Sequence, residues 1–182
     1  MRVTWAKIIA ATPNLILVLY PFHSRPENYP MTAFYNQMRS LFAEFGIEKQ
    51  RLVMIKALPR SADYQECLKL ADIYLDSYPD SGAASLVAPL LAGLPVVARS
   101  GQNRRSQQSA AVIKELQFPE LVANSENSYV EIGTALGTNP ELRRQYRDQV
   151  QRKMATNPKF LDSRAYSFQL ATLLQETFFN QF

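Results

Sequence analysis

The stretch "LDSYPDSGAASLVAPLLAGLPVVA", from Leu75 to Ala98, joins an apolar strand, a tight polar loop, a helix start built of small residues and a second apolar strand. Strands that are apolar throughout belong to parallel sheets covered on both faces. A helix between two such strands is the crossover of a βαβ unit. The loop before that helix lies where helix N-termini aim free N–H groups at anions.

Working outward, the same alternation repeats. "VTWAKIIAA" reads as the end of a helix, Pro13 and Asn14 punctuate, and "LILVLY" is a buried strand. Met31, Phe34, Met38, Leu41 and Phe45 recur at helical spacing, with Gly46 placed to end that helix. "RLVMIKAL" supplies a second strand, "SADYQECLKLA" a short helix with Ser61 as a candidate cap, and "DIYLDSY" a third strand. A helix from Gly82 to Ala92, the strand "LPVVAR", the helix "RRSQQSAAVIKELQ" and the short strand "LVA" at Leu121 to Ala123 follow.

The pattern predicts an α/β fold with a Rossmann-like, doubly wound parallel sheet over residues 1–124. Residues 125–182 then turn helical. "SENSYVEIGTALG" is one helix, and "NPELRRQYRDQVQRKMA" is a second, capped by Asn139 with Pro140 in its first position. A third, "DSRAYSFQLATLLQETFF", is opened by Asp162 or Ser163. Its stripe of Tyr166, Leu170, Leu173, Leu174 and Phe178 is expected to pack on the domain's own sheet. One domain spanning 1–182 is the expected organisation, since 182 residues with 47% hydrophobic composition build one full core.

Composition narrows the function. One cysteine, Cys67, forms no internal disulfide, and with one histidine, His23, it cannot complete a four-ligand zinc site. Nothing implies a cofactor, and a reducing, cytoplasmic setting is expected. The longest apolar run is far shorter than the ~20 residues that span a bilayer, so no membrane partner is expected. The net charge of +4 owes much to "ELRRQYRDQVQRK", where acids and bases mix along a helix face, so no nucleic-acid partner is expected.

In open parallel sheets ligands sit beyond the carboxyl ends of the strands. Ser81, Gly82, Ala83, Ala84 and Ser85 lie at that edge, small enough for an anion to approach the backbone, with hydroxyl donors on Ser81 and Ser85. Without a ligand, this start reads as a helix capped by Asp80 or Ser81 whose small face packs on the sheet. A capping Asp80 would repel a phosphate placed on the same N–H groups. His23, in "YPFHSRPENYP" with Arg25 nearby, follows the first strand at its carboxyl end, but a surface histidine in a proline-rich loop is the expected reading.

The ordered blocks "TWAKIIAATPNLILVLYPF", "RLVMIKALPRSADYQECLKLADIYLDSYPDSGAASLVAPLLAGLPVV", "NRRSQQSAAVIKEL" and "GTNPELRRQYRDQVQRKM" resemble the C-terminal half of the O-linked N-acetylglucosamine transferase family, in particular its Spindly-like members. The resemblance covers nearly the whole chain. It implies the nucleotide-binding half of a GT-B glycosyltransferase, which holds UDP-N-acetylglucosamine while a separate N-terminal domain supplies much of the protein-acceptor side. The family's diphosphate-contacting lysine lies just ahead of the helix matching "TWAKIIAA", outside these residues.

The resemblance also locates departures. The family's glycine and small polar trio correspond to Gly82 followed by Ala83, Ala84 and Ser85, so two side-chain donors are absent. The family aspartate that holds the ribose hydroxyls corresponds to Ala88. Loss of such a contact costs about 1 to 3 kcal/mol, roughly ten- to over a hundredfold in affinity. A family arginine and glycine in the next helix correspond to Gln107 and Ser109, with Arg104 and Arg105 as neighbouring cations. In "ALPRSAD" the resemblance implies a base-recognition loop, with Leu58 offering backbone groups and Arg60 near the family's basic residue. No catalytic residue is assigned. The expected function is the nucleotide-sugar-binding half of a transferase inactive on its own, with UDP-sugar binding weakened or lost; the alternative is a degenerate pseudoenzyme kept as an interaction module.

Overall fold

The computed structural model describes residues 1–20, 31–55, 58, 60–80 and 82–181. Helix α1 (Arg2–Ala11) leads into strand β1 (Leu17–Leu19), α2 (Met31–Glu44) into β2 (Leu52–Met54), and α3 (Ser61–Leu68) into β3 (Tyr74–Leu75). Then come α4 (Ala83–Leu91), β4 (Val96–Arg99), α5 (Arg104–Glu115), β5 (Val122–Ala123), α6 (Glu126–Thr138), α7 (Pro140–Ala155) and α8 (Ser163–Gln181).

Among the described residues all strand pairs are parallel, as the apolar runs predict, and they form two ladders: β1 with β2, and β3–β4–β5. The third strand is shorter than "DIYLDSY" suggested, because only Tyr74 and Leu75 pair with β4. The helices line up in two files, α2–α1–α6 and α3–α4–α5, each helix touching the next. Crossovers between parallel strands run right-handed, which sends helices before and after a change of direction to opposite faces of a sheet.

Two cores result. Val96, Val97 and Ala98 of β4 are fully buried among Leu86 and Leu90 of α4, Ile113 of α5 and Tyr129 of α6. The second core joins Leu17, Leu19 and Leu52 to Met38 and Phe42 of α2. Helix α1 serves both, with Ile8 in the first and Ala6 and Ile9 in the second. Arg51 ties the end of α1 down: its guanidinium donates to the carbonyls of Leu15 at 2.8 Å, Ile9 at 2.7 Å and Thr12. A cation there satisfies carbonyls that the helix leaves unpaired and meets the negative end of its dipole.

The helix ends follow local chemistry. Gly46, at φ 66°, closes α2, with the Gly46 N–H donating to Ala43 and the Ile47 N–H to Phe42, the pattern of a left-handed C-terminal cap. Asn139 caps α7 by accepting from the Leu142 N–H at 3.0 Å, and Asp162 accepts from the first N–H groups of α8. One expected cap here differs. Ser61 lies inside α3, whose N-cap is Arg60 in extended conformation; the Arg60–Asp63 ion pair anchors that turn instead of a hydroxyl.

Helix α8 is the larger departure. Tyr166, Leu170, Leu173, Leu174 and Phe178 were expected on the domain's own sheet, yet all five are exposed. An apolar stripe records that a helix has a buried face in some context, without recording what buries it. Among the described residues no helix is long and apolar enough to cross a membrane.

Candidate functional site at the carboxyl edge of the larger ladder

Strand β3 leads directly into Asp76, which is 2% exposed. Its N–H donates to the Val97 carbonyl at 3.0 Å, and its own carbonyl accepts the Tyr129 hydroxyl at 2.7 Å. The Asp76 backbone is therefore held in place from β4 and α6. Burial pushes the carboxyl pKa up to about 6, against the lowering effect of hydrogen bonds from the Ser109 hydroxyl and the Ser77 backbone. One carboxylate oxygen, Oδ2, has no hydrogen-bond partner.

The loop then turns through a cis Tyr78–Pro79 bond, with the Ser77 hydroxyl donating to the Asp80 carbonyl at 2.6 Å. Helix α4 starts with Gly82 as its N-cap, in extended conformation (φ −128°, ψ 116°). Gly82 rather than Asp80 is the N-cap residue; Ser81, the other cap the sequence suggested, lies outside the described residues. Asp80 instead faces Arg105 at 3.9 Å, both side chains 82% exposed, a separation at which an ion pair contributes little. The backbone start of α4 thus carries no carboxylate cap.

Its first turn is partly engaged. The Ala83 N–H reaches Gln108 Oε1 at a long 3.5 Å, the Ser85 N–H donates to the Gly82 carbonyl at 3.1 Å, and the Ser85 hydroxyl donates to that carbonyl at 2.7 Å. Ser85 also hydrogen-bonds the Tyr74 phenol, whose pKa burial drives well up. As a hydroxyl donor Ser85 is already committed, so this face offers an anion mainly backbone. Ala88 sits two-thirds along α4, half-buried, with no acceptor to offer.

Helix α5 begins beside it with the opposite arrangement. Asn103 and Ser106 form a reciprocal capping box, the Ser106 N–H donating to Asn103 Oδ1 at 2.9 Å and the Asn103 N–H to the Ser106 hydroxyl at 3.3 Å. Gln107 donates to the Gly101 carbonyl at 3.1 Å. Gly101 is required there, since a Cβ would fall 2.2 Å from the Ser106 hydroxyl.

Two candidates belong to the smaller ladder's side. The Leu58 N–H donates to the Tyr20 hydroxyl at 3.3 Å, and Tyr20 stacks on Tyr64 with ring centroids 4.9 Å apart. Leu58 therefore keeps only its carbonyl for a ligand. Arg60 extends to solvent and is gripped by both Asp63 oxygens, at 2.7 and 3.2 Å. His23 and Arg25 lie outside the described residues.

Arg99 is a cation that sequence reading passed over as the end of a strand. It closes β4 at the same carboxyl edge, its guanidinium 4.2 Å from the Tyr78 ring centroid. Its Nε is buried without a hydrogen-bond partner. A charge at the carboxyl end of a parallel strand was the available signal. Asp76, Arg99 and the α4 start share this carboxyl edge, which carries backbone donors, the Arg99 guanidinium and a buried carboxyl.

Comparison with known proteins gives this edge a context. A family model described as Glycosyl transferase family 41 matches residues 1–170. Among similar curated proteins is the probable UDP-N-acetylglucosamine–peptide N-acetylglucosaminyltransferase SPINDLY of Oryza sativa subsp. japonica, 27% identical over 154 residues, 85% of this chain and 16% of the relative. A UDP-N-acetylglucosamine–peptide N-acetylglucosaminyltransferase of Caenorhabditis elegans is 27% identical over 137 residues, 75% of this chain and 11% of the relative. A solved mutant O-GlcNAc transferase of Thermobaculum terrenum matches with TM-score 0.78 at 23% identity, covering 97% of this chain and 32% of that one. The chain thus spans a small fraction of the length of the relatives it matches.

Proposed function

Because the chain belongs to glycosyl transferase family 41, we propose that residues 1–182 form a single half-domain that binds the nucleotide sugar of a protein O-GlcNAc transferase-like enzyme. In that reaction a serine or threonine oxygen attacks the anomeric carbon of N-acetylglucosamine as the bond to the diphosphate oxygen breaks. Negative charge develops on the departing UDP, and preorganised donors that meet it lower the barrier.

The observation that carries this reading is the start of α4, N-capped by Gly82 at the carboxyl end of β3 with no carboxylate on its dipole. Ser81, Gly82, Ala83, Ala84 and Ser85 would hold the diphosphate through backbone N–H groups, with Arg105 as the neighbouring cation. The Leu58 carbonyl and Arg60 would face the base. A second half-domain would supply the other wall of the cleft and the acceptor protein, so the chain alone does not turn over. Its working place is a reducing, cytoplasmic setting.

A second reading, a pseudoenzyme acting as an interaction module, is favoured by Ala88 and by the inward commitment of the Ser85 hydroxyl. Thermal unfolding with UDP separates the two. A ligand at ten times its Kd adds RT ln 11, about 1.4 kcal/mol, which raises the melting temperature of a chain this size by roughly 3–6 °C. The transferase reading expects that rise with millimolar UDP and a smaller one with UMP. Equal shifts with both nucleotides, or none, favour the module.

A further inference from the structure

Among the described arginines, Arg51, Arg99, Arg143 and Arg147 are the ones that are not exposed. All but Arg99 have acceptors built for them. Arg51 donates to the Leu15 and Ile9 carbonyls, Arg143 to the Leu136 carbonyl at 2.7 Å, and Arg147 to the Ala71 carbonyl at 2.6 Å. No hydrogen bond or ion pair from the described residues reaches Arg99, and its Nε is buried without a partner. A half-buried guanidinium gives up water contacts that a protein acceptor normally replaces. Its remaining N–H donors suit an acceptor from outside the chain.

The surroundings hold Arg99 in place without neutralising it. Its guanidinium lies 4.2 Å from the Tyr78 ring centroid, a contact of charge against a ring face that consumes none of its in-plane N–H donors. Tyr78 is itself closely packed: a Cβ on Gly101 would fall 3.0 Å from its ring, and the Ser77 hydroxyl closes the same turn on the Asp80 carbonyl at 2.6 Å. The carboxylates of this edge are engaged elsewhere. Glu126 is held below the usual carboxyl range chiefly by its hydrogen bond from Lys7, at 2.6 Å, and least by Arg99. Asp80 faces Arg105, and the buried Asp76 carboxyl accepts from Ser109 and the Ser77 backbone.

Position points the same way. Arg99 is the last residue of β4, in register with Ala123, and it is partly open to solvent. Tyr78 stands in the loop from β3 that ends at Gly82. We infer that Arg99, held on the Tyr78 ring, is a phosphate-binding residue that takes an oxygen of the nucleotide's diphosphate and so separates UDP from uridine. The identity of the anion rests on the nucleotide-sugar reading, whereas the unpaired guanidinium does not. A planar fork grips two phosphate oxygens at once, so lysine is not its equal. Arg105, 82% exposed, is expected to matter less.

The test reads the Arg99 Nε–H resonance, assigned by its loss in Arg99→Lys, while the natural chain is titrated with UDP, inorganic pyrophosphate or uridine. The expected result is a saturable shift with UDP and with pyrophosphate and none with uridine. Calorimetry should then show UDP affinity lowered about tenfold or more in Arg99→Gln, lowered in the same direction in Tyr78→Leu, and changed less than about threefold in Arg105→Gln. A shift with pyrophosphate alone keeps Arg99 as a phosphate-binding residue and removes the nucleotide reading. UDP binding that leaves the resonance unmoved and is as tight in Arg99→Gln overturns the inference and leaves the nucleotide reading standing. Equal loss of UDP and uridine affinity in Arg99→Gln overturns it as well, because the role is then structural. So does the absence of a shift with either phosphate compound, a result read in the natural chain whether or not a variant folds.

Discussion

Strands β1 and β4 come from nearly interchangeable sequence, "LILVLY" and "LPVVAR", yet their surroundings differ sharply. Val96, Val97 and Ala98 of β4 are fully buried between α4 and α5 on one face and α6 on the other. On β1, Leu17 and Leu19 are covered by α1 and α2, while Val18 and its register partner Val53 are 51% and 41% exposed. A run apolar on both faces specifies a strand built to be covered on both faces, and β1 shows where that cover is missing. The difference leaves Val18 and Val53 on an open face of the smaller ladder and closes the larger ladder into a core.

Four changes test the contrast. Leu90→Ala in the closed core should cost about 2–5 kcal/mol, read as a lower urea midpoint at unchanged slope, because the emptied volume has no flexible neighbour to fill it. Loss of under about 1 kcal/mol would mean that the larger core is not tightly packed.

Asp76 should give the next largest effect, and it depends on pH. Its folded pKa, about 6, stands above the ordinary 3.8. The folded state therefore binds more protons than the unfolded state between those values. The contribution is fully present below pH 4 and is lost as pH rises toward 6, a change of about 3 kcal/mol. Asp76→Asn should flatten that part of the stability–pH curve and leave the protein more stable at pH 7. An unchanged curve would show that Asp76 is not desolvated.

Asn103→Ala empties the α5 capping box and should cost about 1 kcal/mol in chemical denaturation. Smallest is Val18→Thr, expected to shift stability by less than about 0.5 kcal/mol in the isolated chain. A cost near that of a core substitution would show that something already covers β1, and the contrast between the ladders would fail.

How far the sequence foretold this varied by element, for physical reasons. Three local caps were legible, Gly46, Asn139 with Pro140, and Asp162, each acting within a few residues of itself, whereas the caps read at Ser61 and Asp80 gave way to Arg60 and Gly82. The parallel strands followed from their apolar runs, and the family from several ordered blocks. The Leu58 N–H bonded to Tyr20 was not legible, because it joins residues distant in the chain. Neither was the burial of Asp76, which depends on β4, α5 and α6 closing around it. The exposure of α8 shows the same limit, since a helical stripe of Tyr166, Leu170 and Leu173 reads alike whether or not a partner is present.

The most direct test of the central claim is calorimetric titration of UDP into the natural chain and into Ala88→Asp. A half-domain that keeps the backbone cradle at Gly82 but lacks the ribose carboxylate should bind UDP weakly, and the variant should bind about ten- to a hundredfold more tightly, the worth of restored hydroxyl contacts. Identical heats from the two proteins, whether strong or absent, would contradict the placement of a nucleotide at the start of α4.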